Sequence, residues 1–209
     1  SGQNTADTTS DNKVFEKVEV DASYPGGVAG WRQYLKRHLD AGVPLKNNAP
    51  MGIYTVIVQF IVDKEGNISD VRALTRLGYG MEEEVVKIIN KGGKWNPATQ
   101  NGRPVKAFRQ QPVTFRVEME GVKVTTATPN LLFTNTDNPV TISVDRVKPE
   151  DLQVRVSPGT ITKAGEGHYI VKLNKPGRAV IYLYNAKKNK DIGAVSLEVR
   201  DPGDTGDDK

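Results

Sequence analysis

The sequence predicts a small α+β domain followed by an all-β sandwich, and three observations carry that prediction. Helical and strand periodicities alternate as far as Gly121. Beyond it, only short strands separated by turn residues recur. Hydrophobic residues are 37 % and charged residues 26 % of the 209, a balance that excludes a wholly disordered chain. The boundaries that follow are 14–121 for the first domain and 122–200 for the second. The polar ends, 1–13 and 201–209, are expected to be disordered.

The first domain opens with the turn Tyr24-Pro25-Gly26-Gly27 and a helix whose face carries Val28, Trp31, Leu35 and Leu39. Gly42, Pro44 and Pro50 end that helix and leave a loop. In Gly52–Val62 the positions Tyr54, Val56, Val58, Phe60 and Val62 share one face, while Ile53, Ile57 and Ile61 make the other apolar too. A strand apolar on both faces is a central one. Asp63–Asn67 supplies a hairpin turn with Gly66 for positive φ, and the chain returns as a strand over 68–75. Met81, Val85, Ile88 and Ile89 mark a second helix, stopped by Gly92-Gly93. A loop with Trp95, Pro97 and Asn101-Gly102 leads to a last strand, Val105 to Val117. The result is a small antiparallel sheet covered on one face by two helices. Trp31 and Trp95 are expected in its core, where large apolar area suits packing.

The second domain reads as strands over 122–126, 131–133, 140–144, 152–156, 169–173, 179–184 and 192–199. Asn138-Pro139, Lys148-Pro149, Ser157-Pro158-Gly159 and Lys175-Pro176-Gly177 punctuate them.

Charge and chemistry narrow the function. The net charge is +4; the last nine residues carry −3 and the first thirteen −1, which leaves +8 on residues 14–200. Lys87, Lys91, Lys94, Arg103, Lys106, Arg109 and Arg116 follow one another with no acidic residue between, so an anionic partner would be drawn there. Nucleic acid is not the expected partner: no recognised motif accompanies the charge, and Phe115 shares strand parity with Val113 and Val117, a core pattern. The absence of cysteine excludes disulfides and thiol chemistry. His38 and His168 lie in different predicted domains, and Glu82-Glu83-Glu84 opens a helix whose dipole it complements. No catalytic, metal or cofactor site is expected, and the chain is read as non-enzymatic. No apolar run reaches the ~18 residues that span a bilayer, and the basic-then-apolar pattern of a signal peptide is missing. Ser1-Gly2 reads as a remnant of tag removal, so the natural protein is expected to begin earlier, with any anchor in the part removed.

Three segments carry a family resemblance. They are the strand and turn Val56–Val71, the segment Lys94-Trp95-Asn96-Pro97-Ala98 with Asn101-Gly102-Arg103-Pro104-Val105, and Gln111-Pro112-Val113-Thr114-Phe115. In this order and spacing they resemble the periplasmic C-terminal domain of TonB-type energy transducers, in the style common among Bacteroidetes; Tyr24-Pro25-Gly26-Gly27 is similar to the start of that domain. The second part is similar to the immunoglobulin-like C-terminal domains of gliding-motility and secretion proteins, through Asp137–Val144 and Lys175–Ile181. The first resemblance implies a periplasmic protein, anchored to the inner membrane at full length. Its partner would be an outer-membrane TonB-dependent receptor or other envelope protein that adds an extended peptide to a sheet edge. A dimer intertwined through open edges is compatible with it.

Pro112 points to the edge independently, because a residue without N–H cannot sit in a fully paired central strand. We expect a bulge there, or pairing confined to one side of it. Val105, Ala107, Arg109, Gln110, Gln111, Val113 and Arg116 are the expected peptide-binding edge. Two other readings remain: a structural component of an envelope assembly, and the sensory tail of a membrane-embedded metallopeptidase.

Overall fold

The computed structural model describes residues 13–204. The expected disordered ends fall largely outside these residues. Of those ends, Lys13 and 201–204 are described, and the Asp201 carboxylate accepts a hydrogen bond from the Thr134 hydroxyl. Contacts divide the chain into two compact units. The first holds the described residues up to Asn47 and then Thr55–Phe115; the second holds Asn48–Tyr54 and the described residues from Arg116 on.

In the first unit, Gly26 at φ 80 sets the N-cap of α1 (Gly27–His38). Trp31 is buried, but Val28, placed by spacing on the same face, is 69 % exposed. The apolar stripe begins a turn later than periodicity suggests. The loop expected after α1 contains a short helix, α2 (Val43–Lys46), with Pro44 in its first turn, where a missing N–H costs nothing.

The long strand β1 (Met51–Val62) pairs antiparallel with β2 (Ile68–Ala73), from Val58↔Ala73 to Val62↔Ile68, with an irregularity between Gln59 and Ile61. Helix α3 (Met81–Lys91) buries Met81, Val85, Ile88 and Ile89. The segment expected as loop and strand folds instead as a tight hairpin, β3 (Ala98–Gln100) with β4 (Arg103–Val105). Asn101 and Gly102 both take positive φ, 51° and 69°, the pair that a two-residue hairpin turn of this hand requires. The last strand is therefore β5 (Ala107–Val117), not Val105–Val117, and it pairs with β1.

One face of this sheet meets an aromatic cluster. Trp95 packs edge-on to Phe60 at 4.9 Å between ring centroids and lies 5.5 Å from Trp31, with Tyr24 between 5.2 and 5.6 Å from Trp31, Tyr34 and Trp95. Tyr24 and Tyr34 donate their hydroxyls to the Gly92 and Ile88 carbonyls at 3.2 and 2.9 Å. These bonds hold α1 and the turn before it to the C-terminal end of α3. Glu82 and Glu84 are buried carboxylates with structural partners. Glu82 accepts the Leu77 and Gly78 amides at 2.7 and 3.1 Å; Glu84 accepts the Asp40 amide at 2.9 Å and pairs with Lys87.

In the second unit, β7 (Leu131–Phe133), β9 (Leu152–Ser157), β12 (Gly177–Asn185) and β13 (Lys190–Arg200) form one sheet, joined by the start of β1 through Met51↔Val195 and Gly52↔Ser196. The other sheet has the order β10–β11–β8–β6, from β6 (Val122–Thr126), β8 (Asn138–Val144), β10 (Thr160–Gly165) and β11 (His168–Lys172). Both sheets contribute to one core, with Val140, Ile142 and Val171 from one and Ile181, Leu183, Val195 and Leu197 from the other. The buried Asn138 side chain ties three strands: its Oδ1 accepts the Phe133 amide at 2.7 Å, and its Nδ2 donates to the Phe133 and Val171 carbonyls at 2.8 and 3.1 Å.

Candidate functional site

The expected site residues divide sharply by position. Val105 closes the β3–β4 hairpin instead of opening the last strand. On β5, Ala107, Gln111 and Val113 are buried, Arg109 is partly covered, and Gln110 and Arg116 are exposed. Arg116 is counted with the second unit. From Gln110 to Val117 burial alternates without a break, so no bulge interrupts the strand at Pro112.

The chain ahead of α1 supplies what the sequence reading missed. The Phe15 amide donates to the Lys106 carbonyl at 2.9 Å, and the Phe108 amide donates to the Phe15 carbonyl at 3.0 Å, a parallel bridge onto β5. The same segment bridges Val20 to Thr99 and Ser23 to Asn96. Asp21 pairs with Arg109 at 3.2 Å, and the Glu19 carboxylate accepts the Asn101 amide at 2.8 Å. We refer to residues 13–23 as the strap. Its only signal in the sequence is the alternation Lys17-Val18-Glu19-Val20-Asp21-Ala22, a period-2 pattern.

The strap bridge fixes which way the β5 backbone points. Lys106 offers its carbonyl, and Phe108 its amide, to the strap side. Along a strand the same edge is presented by every second residue. Gln110, Pro112 and Thr114 therefore face outward, away from β1. Pro112 is tolerated because the donor it lacks would have pointed to the open side. Its carbonyl is engaged by the side-chain amide of Gln111 at 3.1 Å. Among the described residues, β5 pairs with β1 and, at one bridge, with Phe15.

Beside this edge lies a groove of about 510 Å³ lined by Glu16, Lys17, Gln59, Arg72, Phe108 and Gln110, among others. Arg72 donates to the Gln59 side-chain Oε1 at 2.7 Å across β2 and β1, and the hydroxyls of Thr55 and Thr114 lie 3.1 Å apart across β1 and β5. Arg109 also donates to Gln111 at 3.4 Å, and its Nε is buried without a partner. The surface offers hydrogen-bonding groups and charge. Among the described residues, no group of three or more His, Asp or Glu side chains is arranged to hold a metal. No described helix is long and apolar enough to cross a membrane.

No curated protein matches the chain. Two family models do, and neither describes an enzyme. Their domain types make the chain a cell-envelope protein-interaction module. Residues 54–117 match the model of the Gram-negative bacterial TonB protein C-terminal, and residues 121–200 match that of the GldM third domain.

Proposed function

We propose that the first unit binds an extended segment of an outer-membrane receptor, or of another envelope protein, by strand addition to the outer edge of β5. The single observation that carries this reading is the orientation of that edge. The outward groups of Gln110 and Thr114 flank Pro112 on the side away from β1. Backbone hydrogen bonds would give the affinity, and neighbouring side chains the selectivity. Lys106, Arg109 and Arg116 add positive charge on or next to the strand, which favours an acidic segment. The full-length protein would act in the periplasm from an inner-membrane anchor, with the second unit as an immunoglobulin-like spacer or docking domain.

Fluorescence anisotropy with extended receptor-plug peptides tests the reading. Binding should weaken about tenfold in Gln110→Pro, which removes a second outward donor while leaving the ladder to β1 untouched. Equal binding by both proteins, or none by the wild type, would contradict it.

A second reading is favoured by the match of residues 121–200 to the GldM third domain. Both units would then make fixed contacts in an envelope assembly. A stable large complex formed with envelope extract lacking such receptors, seen by size measurement, would support it over transient peptide capture.

A further inference from the structure

The strap and an added strand compete for the same backbone. We propose that the segment Lys13–Asp21 is a tethered stand-in for the partner: through Phe15 it occupies the N-terminal end of the β5 edge and is displaced when an acidic extended segment adds along the whole of it. This inference rests on the reading of β5 as a strand-accepting edge.

Without displacement, a partner meets a short and interrupted edge. Pro112 has no donor and its carbonyl is already bonded by Gln111, so the outward groups of Gln110 and Thr114 are what remain between the strap bridge and Phe115. Towards the N-terminus the next outward residues are Phe108 and Lys106, and the Phe108 amide and the Lys106 carbonyl are held by Phe15 at 3.0 and 2.9 Å. A partner strand long enough to bind well needs them. The strap shows what fills the place: an extended segment with an aromatic residue at the bridge and a carboxylate, Asp21, reaching Arg109 at 3.2 Å. It carries Glu16, Glu19 and Asp21 against Lys13 and Lys17, a net negative segment on a basic strand.

The strap is also built to leave. It is fixed by isolated single-residue bridges and not by a continuous ladder, and Val20 is 58 % exposed. Asp21 is exposed where it meets Arg109, so that ion pair holds weakly. Tethering compensates, because a covalently linked segment competes at an effective concentration in the millimolar range.

The test uses the full chain, its Phe15→Pro variant and a synthetic peptide of the sequence 13–21. Phe15→Pro removes the donor to Lys106 at a position outside the core; Asp21→Asn serves as a second variant that keeps the backbone intact. Nuclear magnetic resonance titration should show the peptide binding Phe15→Pro about tenfold tighter than the wild type, with Asp21→Asn between them. The Phe108 amide should exchange slowly in the wild type, fast in Phe15→Pro, and slowly again once the peptide is added. Saturating the wild type with peptide should shift the Phe15 signals to those of a released segment. Equal affinities, an unprotected Phe108 amide in the wild type, or a bound peptide with Phe15 still seated would each overturn the inference. Receptor-plug peptides run in parallel separate the two claims. If they bind neither protein while the strap peptide still discriminates, receptor recognition falls and strap displacement stands.

Discussion

Gly66 closes the turn between β1 and β2 at φ +83, and a Cβ there would sit 2.0 Å from the Trp95 carbonyl oxygen. The same glycine accepts the Trp95 amide at 2.9 Å, so the turn is pressed against the residue that anchors the aromatic cluster. Gly66→Ala should destabilise the first unit by about 2 kcal/mol or more in denaturant unfolding, through both the positive φ and the backbone clash. In the same turn, desolvation pushes the Asp63 carboxyl up, but hydrogen bonds from the Asn67 side chain and the Asn67 and Glu65 amides, with Lys94 nearby, outweigh it and hold the pKa below its ordinary 3.8. A depressed folded pKa means that this contribution is in place above the unfolded value and is lost as pH falls through the folded one. An Asp63 titration midpoint below 3.8 is expected by nuclear magnetic resonance, and the acid-induced loss it contributes should vanish in Asp63→Asn. Asn138→Ala should cost about 2–4 kcal/mol, because the Phe133 amide and two strand carbonyls lose their buried partner.

The strands and helices were readable where a periodic apolar face exists. The buried β1 and α3 fall where their spacing puts them, since Val56, Val58, Phe60, Met81, Val85 and Ile89 are all fully buried. The elements missed are those whose cause is a partner instead of a pattern. β10 carries Thr160, Thr162 and Lys163 on an exposed edge and is a strand because β11 pairs with it. β3 and β4 are three residues each, below the length at which alternation can be counted, although Asn101-Gly102 signals their turn. The strap bonds through single bridges that leave no periodic trace beyond Lys17–Ala22. Pro112 shows the same limit. The sequence places it at an edge, but only the Phe15 bridge tells which way it faces. If it faces outward, Pro112→Ala should lower stability by no more than about 1 kcal/mol, the unfolded-state effect of losing a proline. The variant should also bind extended peptides more tightly, because it regains a donor on the open side. A large stability loss in Pro112→Ala, or unchanged peptide affinity, would show the orientation to be wrong.

Across the whole chain, the two family matches and the two compact units describe a modular envelope protein whose surface charge is uneven. The basic run from Lys87 to Arg116 was legible in the sequence, yet its members differ in availability: Lys87 is paired with Glu84 and Arg109 with Asp21, while Arg103 and Arg116 are exposed. Long-range attraction of an acidic segment should therefore show in kinetics. Raising salt from roughly 50 to 300 mM should slow association about threefold or more while changing dissociation little. The identity of the edge is a backbone property, and it has a backbone readout. Amide hydrogen exchange of the full chain, with and without a saturating receptor-plug peptide, measures it residue by residue. Strand addition predicts new protection at Gln110 and Thr114, with Gln111, Val113 and Phe115 unchanged because they already face β1. Protection at the odd-numbered positions, along β2 instead of β5, or nowhere in the first unit would contradict the account.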